Sequence, residues 1–259
     1  MDLKNLYDQN GQSIWLDFIR RDLLQSGEFG RLVADGIRGV TTNPSIFEKA
    51  IDSGDIYKQD LASYRLGASA PEVYEHLAVA DIKAAADALM PLYKSSKGRD
   101  GFVSMEVAPT LARDAQATVA EGLRLKEEVG HENLMIKVPA TSEGMLAIRA
   151  LLGHGVHVNV TLLFSRAVCH QVAVAHAAGL EDFVAAGGDV SKVASVASLF
   201  VSRMDVMVSP LLQAAAQTAP ESKRAAILAL SGKVALANAK LAYQDWKERV
   251  QSLRWTALA

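Results

Sequence analysis

A lysine set in an apolar strand is the first place in this chain where chemistry could happen. In Asn133 to Thr141, NLMIKVPAT, the apolar Leu134, Met135 and Ile136 lead to Lys137, followed by Val138 and Pro139. The run reads as a buried parallel strand that stops at the proline. Burial disfavours the ammonium form of a lysine, and the free amine is a nucleophile towards carbonyl carbon. Taken alone, the same residue also fits a lysine that snorkels from a strand end or pairs with a carboxylate. Its partners elsewhere in the chain carry the argument further.

Asp17, Asn43, Glu106, Asn159, Thr161, Ser198 and Arg203 each fall in or at the downstream part of another predicted strand. Successive strands that deliver ionisable or amide groups to one rim make a constellation. Carboxylates near a desolvated lysine are what Schiff-base chemistry needs, since carbinolamine formation, dehydration and carbon–carbon cleavage each move a proton. Singly, the residues have plainer roles. Asn43 before Pro44 suits a helix N-cap, Asp17 stands near Arg20 and Arg21, and Arg203 near Asp205 fits a surface ion pair. The histidines suggest no metal site: His154 and His157 flank a turn, and His170 and His176 miss the i, i+4 spacing of a helical ligand pair. Cys169, mid-helix, reads as a packed thiol.

The elements that must position these groups alternate. SIWLDF (Ser13 to Phe18) is a short strand, and an amphipathic segment from Arg21 to Asp35 follows it. IRGVTTN (Ile37 to Asn43) is the second strand, and Pro44 opens a helix. A polar, glycine-broken stretch runs to Ala70, then a helix from Pro71 to Lys94 and a third strand, GFVSMEV, from Gly101 to Val107. Helix Thr110 to Val129, the lysine strand, helix Glu143 to Leu152 and strand Val156 to Phe164 come next. Helix Ser165 to Ala186 precedes a sixth strand within Val193 to Asp205. Strand and helix in repeated alternation imply a parallel sheet with helices outside it. No G-x-G-x-x-G follows the first strand, which favours a closed barrel over a doubly wound sheet. In such barrels chemistry gathers at the carboxyl ends of the strands.

The 259 residues suit one large domain or two small ones, and a net charge of -2 gives no basic field, so nucleic acid is not an expected partner. One cysteine excludes an intrachain disulfide framework and fits a reducing compartment. The N-terminus is polar, and no apolar run reaches the ~18 residues of a membrane span. The expectation is a soluble cytoplasmic protein with no membrane partner.

The stretches VTTNPSIFEKAI, VSMEVAP, IKVPATSEG, VNVTLLFS and SLFVSRMD resemble, in order, the strand-end motifs of the transaldolase family. The likeness runs from about Ser13 to the end of the chain. It is nearest the branch with IWLD in the first strand and KLAY near the last helix, related to the transaldolase part of transaldolase/glucose-6-phosphate isomerase fusions. The resemblance implies an α/β fold of the TIM-type (β/α)8 barrel family, as a single barrel domain over residues 1–259. It implies that Lys137 forms a Schiff base with the ketose donor and that Asp17 is the acid/base of carbon–carbon cleavage. Glu106 and Thr161 would hold the catalytic water, Asn43 and Asn159 would bind hydroxyls of the dihydroxyacetone unit, and Ser198 and Arg203 would bind phosphate. The implied reaction moves dihydroxyacetone from sedoheptulose 7-phosphate to glyceraldehyde 3-phosphate, in the pentose phosphate pathway, with no metal or cofactor.

From Val206 to Ala259 the periodicity is helical, with no further buried strand. Only six strands are identifiable, so strands seven and eight are expected to be missing and two sheet edges open. Such a chain is expected to be weakly active alone and to self-associate through those edges. Two alternatives stand beside the transferase: a truncated, non-catalytic relative acting as a scaffold or partner module, and a fructose 6-phosphate aldolase-like enzyme that releases dihydroxyacetone.

Overall fold

The computed structural model describes residues 3–52, 55–64 and 67–258. Six strands form one sheet: β1 (Ile14–Leu16), β2 (Ile37–Thr41), β3 (Phe102–Glu106), β4 (Leu134–Pro139), β5 (His157–Leu163) and β6 (Ser195–Leu199). Their spatial order is their chain order, and every pairing is parallel. This is an α/β fold of the TIM-barrel kind with six strands. Among the described residues β1 pairs only with β2, and β6 only with β5. Every regular element between Ser202 and Thr256 is a helix, as the periodicity there predicts.

Helices α1 (Leu3–Asn10), α2 (Arg21–Gln25), α3 (Glu28–Asp35), α4 (Pro44–Asp52), α5 (Lys58–Ser63) and α6 (Ala70–Ser95) accompany the first three strands. Then follow α7 (Ala115–Val129), α8 (Ser142–Gly153) and α9 (Arg166–Ala185) between the later strands, and α10 (Ser202–Thr218), α11 (Glu221–Leu228), α12 (Val234–Val250) and α13 (Leu253–Thr256). Local chemistry sets their starts. Ser69 and Glu72 form a capping box on α6, and the side chains of Asp114, Thr141 and Ser165 accept backbone N–H groups at the starts of α7, α8 and α9.

Three departures from the sequence reading have local causes. The polar N-terminus forms α1, whose Tyr7 ring lies 3.5 Å from the Arg38 guanidinium. The segment from Arg21 to Asp35 breaks at Gly27, which takes the left-handed conformation and splits it into α2 and α3. The glycine-broken stretch before Ala70 contains α4, a 3₁₀ turn at Asp55–Tyr57 and α5.

Every residue of β4 is buried. Apolar side chains from β3, β4 and β5 meet Leu125 of α7 and Ile148, Leu151 and Leu152 of α8 in one core. This two-sided burial is why these strands read as continuous apolar runs. Beyond β6, α10 to α13 bury only Ala216 and Ala235 among the described residues. No described helix is long and apolar enough to cross a membrane.

Candidate active site

Register brings the central groups together. Glu106 of β3 lies opposite Lys137 of β4, and Lys137 lies opposite Asn159 of β5. Residues directly opposite in a sheet project to the same face, so the three side chains share one row. The Lys137 side chain is buried; its Nζ donates to the Thr42 carbonyl at 2.9 Å and stands 3.7 Å from Glu106 Oε2. An amine is thus held out of water beside a carboxyl that can exchange protons with its adducts.

Burial pushes the Glu106 carboxyl above its ordinary range. The positive charges of Lys137 and Arg203 pull the other way, and the negative charge of Asp17 adds to the rise. Glu106 therefore feels the charges of three other residues singled out in the sequence. Asp17 lies just past β1 and is exposed. Neither nearby arginine takes its carboxylate: Arg20 bonds Asp22 at 2.5 and 2.6 Å, and Arg21 bonds Asp81 at 2.7 Å.

Asn159 is held at both ends of its amide. Its Nδ2 donates to Ser104 Oγ at 3.0 Å, and its Oδ1 accepts from Ser198 Oγ at 3.0 Å. Ser104 is fully buried, and its carbonyl accepts from Thr42 Oγ1 at 2.8 Å. Sequence reasoning passed over Ser104 and Thr42. The signal for Ser104 was its place two residues before Glu106, which puts both on one face of β3.

Thr161 is buried opposite Pro139, and its carbonyl accepts from the Ala140 N–H at 2.9 Å. The next residue, Leu162, has φ 63°, and the β5–β6 register shifts between Val160 and Leu163. A left-handed leucine is costly, of order 1 kcal/mol or more. The bulge turns the end of β5 at the residue beside Thr161, the way bulges re-aim side chains near functional sites.

The remaining groups lie at the margins. Asn43 does act as a cap, its Oδ1 accepting from the Ile46 N–H at 3.1 Å. Arg203 sits in the first turn of α10, exposed, with its guanidinium 4.5 Å from the Phe200 ring; Asp205 instead accepts from the Ala235 N–H. A groove of about 550 Å³ lies between β6, α9 and α12, and none of the eight predicted residues lines it. Among the described residues no group of His, Cys, Asp or Glu is placed to hold a metal ion. Burial pushes the Cys169 thiol up, which weakens it as a nucleophile.

The family model described as transaldolase/fructose-6-phosphate aldolase matches residues 14–256. The chain belongs to this family. Among similar relatives, a transaldolase of Trichodesmium erythraeum is 44% identical over 262 residues, covering 100% of this chain and 68% of the relative. Transaldolase 2 of Nostoc sp. is 46% identical over 253 residues, covering 96% of this chain and 66% of the relative. Transaldolase 1 of Streptomyces avermitilis is 45% identical over 260 residues, 100% of this chain and 67% of the relative. The chain thus spans about two thirds of the length of these transaldolases.

Proposed function

We propose that the chain carries the Schiff-base machinery of a transaldolase. The observation that supports this most is Lys137, buried at the carboxyl end of β4 with its Nζ 3.7 Å from a carboxyl whose proton affinity burial has raised. The Lys137 amine attacks the ketose carbonyl and forms a carbinolamine. Glu106 and Thr161, through a water molecule, supply the proton with which hydroxide leaves as water, giving the Schiff base. Asp17 takes the proton of the donor hydroxyl, the carbon–carbon bond breaks towards the iminium, and an aldehyde departs. The enamine left on Lys137 then adds to an acceptor aldehyde, and hydrolysis frees the new ketose phosphate. Asn43 and Asn159 hold the dihydroxyacetone hydroxyls, while Ser198 and Arg203 take the phosphate. The substrates are sedoheptulose 7-phosphate and glyceraldehyde 3-phosphate, in the pentose phosphate pathway of the cytoplasm, and the chemistry draws on no metal or cofactor.

The isolated chain should work poorly. The groups proposed to take the phosphate stand on β6 and α10, and among the described residues β6 pairs only with β5, leaving an edge to which a second copy or a separate fragment can add a strand. The family also includes aldolases that release dihydroxyacetone, and desolvation of the enamine separates the two outcomes.

Borohydride reduction in the presence of fructose 6-phosphate tests the reading. The expected result is a covalent adduct on the peptide that contains Lys137, with transfer to glyceraldehyde 3-phosphate much faster than release of dihydroxyacetone. An adduct on another residue of a folded sample removes the mechanism, and comparable transfer and release assign the chain to the aldolases.

A further inference from the structure

The long crossover between β2 and β3 reaches back to the start of α2, four residues after Asp17. Tyr57, fully buried in its 3₁₀ turn, accepts the backbone N–H of Arg21 on its hydroxyl at 3.2 Å and donates to Asp81 Oδ2 at 2.7 Å. Arg21 donates from Nε to the other oxygen of Asp81 at 2.7 Å and reaches Asp60 and the Leu77 carbonyl with its remaining nitrogens. Its guanidinium lies 4.5 Å from the Tyr57 ring. Arg21, Tyr57 and Asp81 are all buried, so this is a closed polar network inside the fold.

Its position matters because α2 has only five residues and its N-cap residue, Arg20, makes no side-chain cap bond. The Tyr57 hydroxyl stands in for the missing cap, supplied from another element. Upstream, the anchor of the Asp17 loop is weak: β1 has three half-buried residues, pairs on one side only and has an irregular register between Ile14 and Trp15. Asp17 itself accepts no hydrogen bond from the described residues. Its place within electrostatic reach of Glu106 therefore depends on the downstream anchor, Ile19 in the core and the Arg21 backbone on Tyr57.

We propose that Tyr57, held by Asp81, is a positioning residue for Asp17, acting through the backbone of Arg21. This rests on the Schiff-base reading and adds a residue to it. Displacement of a catalytic group by about 1 Å can cost a hundredfold in rate. Loss of the hydroxyl should slow the step that uses Asp17 and spare the step that does not.

The test separates those steps. Dihydroxyacetone forms a Schiff base with Lys137 without any carbon–carbon cleavage, whereas fructose 6-phosphate must lose glyceraldehyde 3-phosphate, measured in a single turnover. In Tyr57→Phe, which keeps the ring beneath Arg21, borohydride trapping with dihydroxyacetone should stay within about twofold of the parent, and aldehyde release should fall about ten- to a hundredfold. Equal loss in both assays marks a general structural role and overturns the proposal, as does unchanged release. If Tyr57→Phe does not fold, Asp81→Asn, which leaves one acceptor oxygen for Tyr57 and Arg21 to share and so loosens the tyrosine's hold, should show the same split at a smaller size; equal effects there overturn it too. Absence of trapping in the parent chain would instead sink the Schiff-base reading itself.

Discussion

From Leu134 to Pro139 of β4 every residue is buried, while β6, two strands away, has none that is fully buried, although both carry candidate site residues. Around β4 helices and strands cover both faces; beside β6 the helices that follow leave Val206, Met207 and Leu211 of α10 exposed. The contrast divides the chemistry. Lysine and amide are buried and the carboxyl is half-buried beside them, whereas Arg203 is exposed. Covalent capture of the ketose should therefore depend little on what surrounds β6, and recognition of the phosphate should depend on it strongly.

Substitution at the two places should make that division visible. Glu106→Gln should lower the rate of Schiff-base formation by about 10²- to 10⁴-fold. Arg203→Ala, which removes one of the charges acting on Glu106, should change that rate with dihydroxyacetone by no more than about threefold and weaken fructose 6-phosphate binding about ten- to a hundredfold, the worth of one charge-assisted bond. Trapping rates measured against ketose concentration read both. A large effect of Arg203→Ala on dihydroxyacetone capture would erase the distinction.

Stability should divide the same way. Leu151→Ala, in the core behind β4, should cost about 2 to 5 kcal/mol in urea unfolding. Leu211→Ala, on the exposed face of α10, should fall within about 0.5 kcal/mol of zero. A cost at Leu211 close to that at Leu151 would mean that α10 is covered in solution, as by a second copy.

Acid should loosen the open side. His157 Nδ1 accepts the Ala194 N–H at 2.9 Å, which fixes the residue before β6, and burial holds its pKa at about 4. His176, stacked on Trp255 of α13, is also held at about 4. Unfolded, each titrates near 6.5, so the unfolded chain takes up the proton first. Their stabilisation is intact above about pH 6.5 and is lost as pH falls from there towards 4, by at most about 3 kcal/mol each. His157→Asn should roughly halve the slope of stability against pH in that range, measured by urea titrations. An undiminished slope would place the titration elsewhere.

The sequence was most legible where periodicity and burial coincide. β3, β4 and β5, with Glu106, Lys137 and Asn159 on them, stand out as apolar runs interrupted by a polar group, and strand register alone then sets them side by side. Partnerships across long separations were not legible. Ser104 supports Asn159 across 55 residues and Tyr57 supports Arg21 across 36, and nothing local to either residue marks its partner. Leu162 was hidden for another reason: a leucine at positive φ follows from the bulge in β5, and leucine's own preference argues against it. Arg203 was read with the sixth strand, but it belongs to the first turn of α10, where strand end and helix start share the same few residues.

The strand order has a consequence in time as well as in space. Each strand pairs with the one made just before it, so a chain emerging from its N-terminus never waits for a partner still to be synthesised. β1 and β2 offer an edge to β3, β3 to β4, and so on, with every new segment templated by the last. The row of Glu106, Lys137 and Asn159 is complete once β5 has docked. Ser198 and Arg203 come afterwards, so during synthesis a nascent chain acquires the lysine proposed to react before the groups proposed to recognise a phosphate.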